Sequence, residues 1–227
     1  MKILVFDTET TGLPQKDPSG NEPSIYDFQK WPHIIQISYI FYDLSNNDTI
    51  IKNDYIKINN NINIPPQSYE KHKLTHEILN TKGINIIPAL KEFNQFVKKC
   101  DVIVGHNISF DKRLVIVENL RNKLKPNFTT FKGKEIIKKN EFCTMRKTTK
   151  HCNIIKYSKK NKPYCKTPSL SELYLNLFPE SKLPQELHNS LVDILITFKC
   201  YIKFNFNLNI TDMNDKIKNL CFKYNIN

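Results

Sequence analysis

The chain has 227 residues, 40% of them hydrophobic and 25% charged, with a formal net charge of +12. That length suits one sizeable core and a single domain, and a mean hydropathy of −0.47 describes a soluble globular protein. No apolar run approaches the roughly 18–20 residues of a membrane helix, and Asp7 and Glu9 break the first run too early for a signal-peptide core; an intracellular protein with no membrane partner is expected.

Ile3–Phe6 is a short apolar run of the kind expected for a strand buried on both faces, ending at Asp7. Pro14, Pro18, Gly20 and Pro23 make 14–31 a long loop. Its Tyr26, Phe28 and Trp31 either stack on bases or, the favoured reading, pin the loop to the core. Ile34–Tyr42 is rich in β-formers and Thr49–Ile58 alternates, so the two are expected to form a hairpin across Ser45–Asp48. After a loop at 59–66, helices are predicted over Leu74–Leu79 and Pro88–Lys99, the second from Leu90, Phe93 and Val97 at helical spacing. Val102–Val104 reads as another buried strand, followed by a turn at Gly105–Asn107. Ser109 is the expected N-cap of a helix carrying Leu114, Val115, Val117 and Leu120.

The segment 121–166 holds 15 of the 34 Lys/Arg residues and only two of the 22 acids, Glu135 and Glu141. It is either a solvated lysine-rich loop or a surface for a polyanion, whose binding would weaken with salt. Phe142–Met145 is expected to add a short strand. Helices are predicted from Ser169 to a stop near Pro179 and from Asn189 or Ser190 through Ile202. A terminal helix is predicted near Met213–Tyr224, capped around Thr211 and Asp212. None of the six cysteines forms a C-x-x-C pair, and Cys143, His151, Cys152 and Cys165 match no standard zinc spacing. Reduced thiols, and no zinc site, are expected.

Residues i and i+2 of a strand share a face, so Asp7 and Glu9 converge. Two such carboxylates repel each other unless a cation intervenes, and hard oxygen ligands suit Mg²⁺ or Mn²⁺. The longer string Phe6-Asp7-Thr8-Glu9-Thr10-Thr11-Gly12-Leu13 resembles the first motif of the DEDD exonucleases, the DnaQ-like proofreading-type 3′→5′ enzymes. His106-Asn107-Ile108-Ser109-Phe110-Asp111 resembles their second motif. His188, five residues before Asp193, resembles the third motif in its histidine-bearing (DEDDh) form; the tyrosine-bearing form would have Tyr where Asn189 stands.

The resemblance covers about residues 1–205 and leaves 206–227 as a C-terminal extension, read as a docked helix. It implies an α/β, ribonuclease H-like fold: a mixed five-stranded sheet flanked by helices. It also implies two Mg²⁺ or Mn²⁺ ions, the first on Asp7, Glu9 and Asp193, with Asp7 bridging to a second near Asp111. Thr8, Thr10, Thr11, Gly12 and Leu13 would contact the 3′-terminal nucleotide, Leu13 as a wedge, with His106, Asn107 and Phe110 on the other side. His188 would act as general base, a role suited to an ordinary pKa near 6.5. The implied substrate is the 3′ end of single-stranded DNA or RNA, released as nucleoside 5′-monophosphates. A polymerase or other replication or repair protein is a possible partner. Two further readings remain: a non-catalytic nucleic-acid-binding module on this fold, and a polymerase accessory subunit tethered by its C-terminal helix.

Overall fold

The fold, taken from a computed structural model that describes residues 1–132 and 135–226, is organised by its first strand. β1 (Lys2–Thr10) pairs antiparallel with β2 (Ile34–Asp43), and β2 pairs antiparallel with β3 (Asp48–Tyr55). Helices α1 (Pro66–His72), α2 (His76–Lys82) and α3 (Ile86–Lys99) follow, then β4 (Val102–Gly105) and α4 (Ile108–Arg121). A small hairpin of β5 (Thr129–Lys132) and β6 (Glu135–Lys138) precedes β7 (Asn140–Cys143). The five-stranded sheet has the order β3-β2-β1-β4-β7, with β4 and β7 parallel to β1. This is the mixed, helix-flanked sheet that the resemblance implies.

The chain continues through two short helices, α5 (Thr144–Lys147) and α6 (Thr149–Cys152), and a hairpin of β8 (Ile154–Tyr157) and β9 (Pro163–Lys166). It then enters α7 (Leu170–Leu177) and α8 (Ser190–Phe206), and ends in α9 (Ile210–Met213) and α10 (Asp215–Lys223).

Strand alternation divides β1 between two cores. Ile3 and Val5 face the cluster made with α7 and α8, including Leu173, Val192, Leu195 and Phe198. Leu4 and Phe6 face α3 and α4 through Leu90, Phe93, Leu114 and Val115. By the same alternation Asp7 and Glu9 lie on the α8 face, and Thr8 on the α4 face. The α9 and α10 segment joins the α8-side core through Ile210, Ile217 and Cys221. Asn214 pins it to the first hairpin, donating to the Asn47 carbonyl at 2.9 Å and to Thr49 Oγ1 at 2.7 Å.

Several boundaries differ from the sequence reading. β1 runs on to Thr10 because β2 stays paired with it past Asp7, matching Asp7 with Ser38 and Glu9 with Gln36. The helix expected at Leu74 begins at His76, where Thr75 Oγ1 accepts the Ile78 N–H at 3.2 Å. The cap of α4 is Asn107 at φ 63°, not Ser109; the helix already needs its first turn there to leave the sharp turn after β4. Asn is among the few non-glycine residues that adopt this left-handed backbone readily. At the C-terminus two short helices replace the single one, capped by Asn209 and Asn214. Of the loop aromatics, Trp31 is buried, its indole N–H donating to the Ser24 carbonyl at 2.9 Å, whereas Tyr26 is exposed.

Candidate active site

Parallel pairing between β1 and β4 stops at Val5 and Val104, so β1 projects beyond its neighbour with one edge open. The four acids gather at this projection. Asp7 and Glu9 point from β1 toward α8, whose first turn supplies Asp193; one carboxylate oxygen from each of the three lies within 4.8 Å of the others. Asp111 arrives from the opposite face in the first turn of α4. The open edge of β1 receives it: Asp111 Oδ1 accepts the Thr8 N–H at 3.2 Å and the Thr8 hydroxyl at 2.7 Å.

None of these acids forms an ion pair among the described residues. Their proton affinities rise accordingly. Asp7 is pushed well above the usual carboxylate range by burial, then by Asp111, Asp193 and Glu9. Burial, followed by Asp193 and Asp111, raises Glu9 to about 9, with Lys71 opposing. Burial raises Asp111 to about 7 against its bonds from Thr8, and Asp193 to about 7 against a bond from the His188 backbone N–H. Asp193 Oδ1 is buried without a hydrogen-bond partner. A hard divalent cation fits such a set: it satisfies the orphaned oxygen and removes the mutual repulsion.

His188 sits in the loop before α8 with a left-handed backbone, φ 66°. Its burial, and next the charge of Lys71, hold its imidazole below the ordinary value, so it is neutral near pH 7. His106 is tied differently. Its Nε2–H donates to the Pro168 carbonyl at 3.2 Å, which leaves Nδ1 as the acceptor facing Thr144 Oγ1 at 3.0 Å. Burial lowers His106 to about 4, so this ring stays uncharged. One pocket of about 530 Å³ contains the four acids, His106, His188, Thr8, Thr10, Gly12, Leu13, Asn107 and Phe110.

A family model described as Exonuclease (RNase T) matches residues 4–201. The chain belongs to the exonuclease family. It is a DEDD-type member of the 3′→5′ exonuclease group, with the ribonuclease H-like fold. Solved structures of E. coli Exonuclease I are similar in fold. Its complex with a dT13 oligonucleotide is 15% identical, with a TM-score of 0.58 over 89% of this chain and 41% of that one. Its dA16 complex gives 15% identity and a TM-score of 0.60 over 98% and 43%. Its zinc-bound complex with single-stranded DNA gives the same identity, TM-score and coverage. The chain thus spans less than half the length of these structures. No curated protein matches it.

Not every motif residue of this exonuclease-family chain reaches the pocket. Thr11 does not line it: its N–H donates to the His33 carbonyl at 2.9 Å and its hydroxyl accepts the His33 N–H at 3.0 Å. The β-bulge at Glu9/Thr10 shifts the register and turns Thr11 toward that loop. Thr8 lines the pocket, but both its donors are committed to Asp111. Leu13 stands at the rim, 74% exposed. The sequence reading missed the opposite wall, made by Pro65 and by Gln67, Ser68, Lys71 and His72 of α1. That helix is almost wholly polar and has no apolar period; its only local signal is Pro65-Pro66, a proline at the first helical position. No other group of three or more metal-ligating His, Cys, Asp or Glu side chains occurs among the described residues, and no helix among them is long and apolar enough to cross a membrane.

The raised acids set a pH dependence. A fold that binds protons more tightly than the unfolded chain is most stable below the unfolded pKa values, 3.8 for Asp and 4.5 for Glu, and loses that contribution as pH rises through the folded values. Metal-free protein is therefore expected to lose thermal stability between about pH 4 and pH 9. With saturating Mg²⁺ or Mn²⁺ the decline becomes shallower, because the ion takes over from the protons. Thermal melts across that range, with EDTA and with metal, check it; parallel curves would contradict it.

Proposed function

We propose that this chain is a metal-dependent 3′→5′ exonuclease of the histidine-bearing branch that removes nucleoside 5′-monophosphates from single-stranded DNA. The observation that carries the reading is the meeting of Asp7, Glu9, Asp111 and Asp193 with His188 in one pocket, although they come from three separate elements and a loop. Asp7, Glu9 and Asp193 would hold one Mg²⁺ or Mn²⁺, and Asp7 with Asp111 a second. Such ions, when bound, acidify water and neutralise charge on the attacking and leaving oxygens of a phosphodiester.

The remaining chemistry falls to the chain's own groups. His188, neutral near pH 7, accepts the proton of the attacking water on an imidazole nitrogen. Water adds to phosphorus as the bond to the 3′ oxygen of the preceding nucleotide breaks; that oxygen takes a proton from solvent, which leaves a 3′-hydroxyl on the shortened strand. Thr8 holds Asp111 in place through its two hydrogen bonds. Thr10, whose hydroxyl donates to the Gly12 carbonyl at 2.7 Å, shapes the turn that carries Leu13 to the rim. There Leu13 packs against the terminal base, while His106, Asn107 and Phe110 form the other side of its seat. The oligonucleotide complexes of E. coli Exonuclease I support DNA as the substrate to try first.

The test uses 5′-labelled single strands of matched sequence, one DNA and one RNA, with Mg²⁺ or Mn²⁺ and an EDTA control. A metal-dependent ladder shortening from the 3′ end, faster on DNA, is expected. A faster RNA ladder would reassign the substrate, and intact strands in every metal would overturn the exonuclease reading.

A further inference from the structure

Between Glu141 and Glu172 the chain has eight Lys or Arg residues and no acid. The β8–β9 hairpin lies in this stretch and is firmly held at its base. Ile154 packs on the α8-side core, Lys166 Nζ reaches both Glu172 oxygens at 2.7 Å, and Cys165 Sγ donates to the Thr149 carbonyl at 3.2 Å. Its outer half has no such cover. The register sets Lys156 opposite Tyr164 and Tyr157 opposite Pro163, so a lysine–tyrosine pair lies on one face and a second tyrosine on the other.

Tyr157 is 66% exposed and Tyr164 48%. The tip is a defined turn: Ser158 N–H donates to the Lys162 carbonyl at 2.9 Å, and Asn161 takes the left-handed backbone at φ 54°. It presents Lys159, Lys160 and Lys162, which are exposed like Lys156; none of the four forms an ion pair among the described residues.

The hairpin is also tied to the pocket. β9 leads within two residues to Pro168, whose carbonyl accepts the Nε2–H of His106, a lining residue of the site. An extended chain spans at most about 3.6 Å per residue, so the Tyr164 Cα lies within about 14 Å of the Pro168 Cα. Exposed aromatics among unpaired lysines match the needs of a single strand, whose bases stack and whose phosphates attract cations. A folded acidic protein would match the charge but gives two tyrosines on opposite faces no common partner.

We propose that the β8–β9 hairpin is an arm that holds the single strand on the 5′ side of its terminal nucleotide, with lysines on phosphates and Tyr157 and Tyr164 against bases. This rests on the pocket being the seat of the 3′ end.

The experiment measures equilibrium binding of a fluorescent dT oligonucleotide of about 20 nucleotides, long enough to pass the arm. It is done in EDTA, so binding is read without turnover. Wild type is compared with Lys156/Lys159/Lys160/Lys162→Gln, with the matching →Arg variant, and with Tyr157/Tyr164→Ala. The Gln variant is expected to flatten the slope of log affinity against log salt by about 0.7 for each phosphate that a lysine no longer neutralises, and the Arg variant to restore it. The Tyr variant is expected to weaken binding about tenfold or more without changing that slope. With Mg²⁺ or Mn²⁺, the ratio of kcat/KM on the long strand to that on a dinucleotide should fall in the Gln and Tyr variants, through KM. Gln and Tyr variants that bind with wild-type affinity and salt slope would overturn the arm. Hairpin-dependent binding by a protein that degrades neither substrate would support the arm and overturn the exonuclease reading instead.

Discussion

Replacing Asp7 with asparagine is expected to abolish nuclease activity and, in the same protein, raise the stability of the metal-free fold. Asp7 is the acid on which the others press: burial, Asp111, Asp193 and Glu9 all act against its charge. Asparagine keeps the shape, removes the charge and brings an amide donor toward acceptors such as the partnerless Asp193 Oδ1. In EDTA the melting temperature should therefore rise by a few degrees, since about 1 kcal/mol moves Tm by roughly 2–4 °C at this size. The loss of activity should exceed the roughly 10²–10³-fold seen when one stabilising donor is removed, because under the proposed function this carboxylate would serve both ions. The stabilisation by Mg²⁺ or Mn²⁺ should shrink with it. Melts with and without metal, beside the strand assay, read all three effects. An Asp7→Asn protein that melts lower in EDTA would show that the acids are not in mutual conflict, and one that still cleaves would remove Asp7 from the chemistry.

Exchanging His188 for glycine is expected to slow cleavage by about 10²–10⁴-fold, the range of general-base assistance, without destabilising the fold. Glycine is the informative replacement because His188 has φ 66°, a backbone region that is strained for most side chains and open to glycine. Alanine there would keep the strain and mix a folding effect with a chemical one. The ring's proton affinity is held down by burial and by Lys71, so the wild-type rate should fall only below the ordinary imidazole range, with an acid limb under pH 6.5. The variant should lose that limb, and added imidazole should restore part of its rate by entering the vacated space. The pH–rate profiles of both proteins, taken with saturating metal and with the melting temperature as a control, decide the matter. An unchanged rate and acid limb in His188→Gly would remove the residue from proton transfer.

The motif residues were legible because their signals are local. A run of four apolar residues announces β1, and the two-residue period carries its faces past Phe6, so Ile3, Val5, Asp7 and Glu9 share a side before any partner is known. Asn189 and Ser190 before an apolar helical run announce α8, and of the two it is Asn189 that caps the helix, its side chain accepting the Leu191 N–H at 3.2 Å. Ser169 likewise opens α7, its hydroxyl accepting the Glu172 N–H at 3.2 Å. Where local signals compete, the reading slipped. Ser109 is as good a cap by type as Asn107, and only the turn forced by the end of β4 selects between them. At Gly105 in that turn an added Cβ would come within 3.1 Å of Ile108 Cβ, which shows how closely the helix start is pressed onto the strand.

By itself the sequence determined the strands and helices with apolar faces, the side of β1 that carries acid, and the spacing of each carboxylate or histidine from its own helix start. These depend on backbone periodicity and on caps within a few residues. Only the tertiary structure decided what those groups meet. Packing α8 over Ile3 and Val5 brings Asp193 to Asp7 and Glu9, and ending β4 at Gly105 opens the edge of β1 to Asp111. The bulge that turns Thr11 away, the polar helix that walls the pocket with Lys71 and His72, and the hairpin anchored beside His106 arise from contacts between segments far apart in the chain. No local period records such contacts, because they are set by which surfaces bury one another when the sheet and helices close.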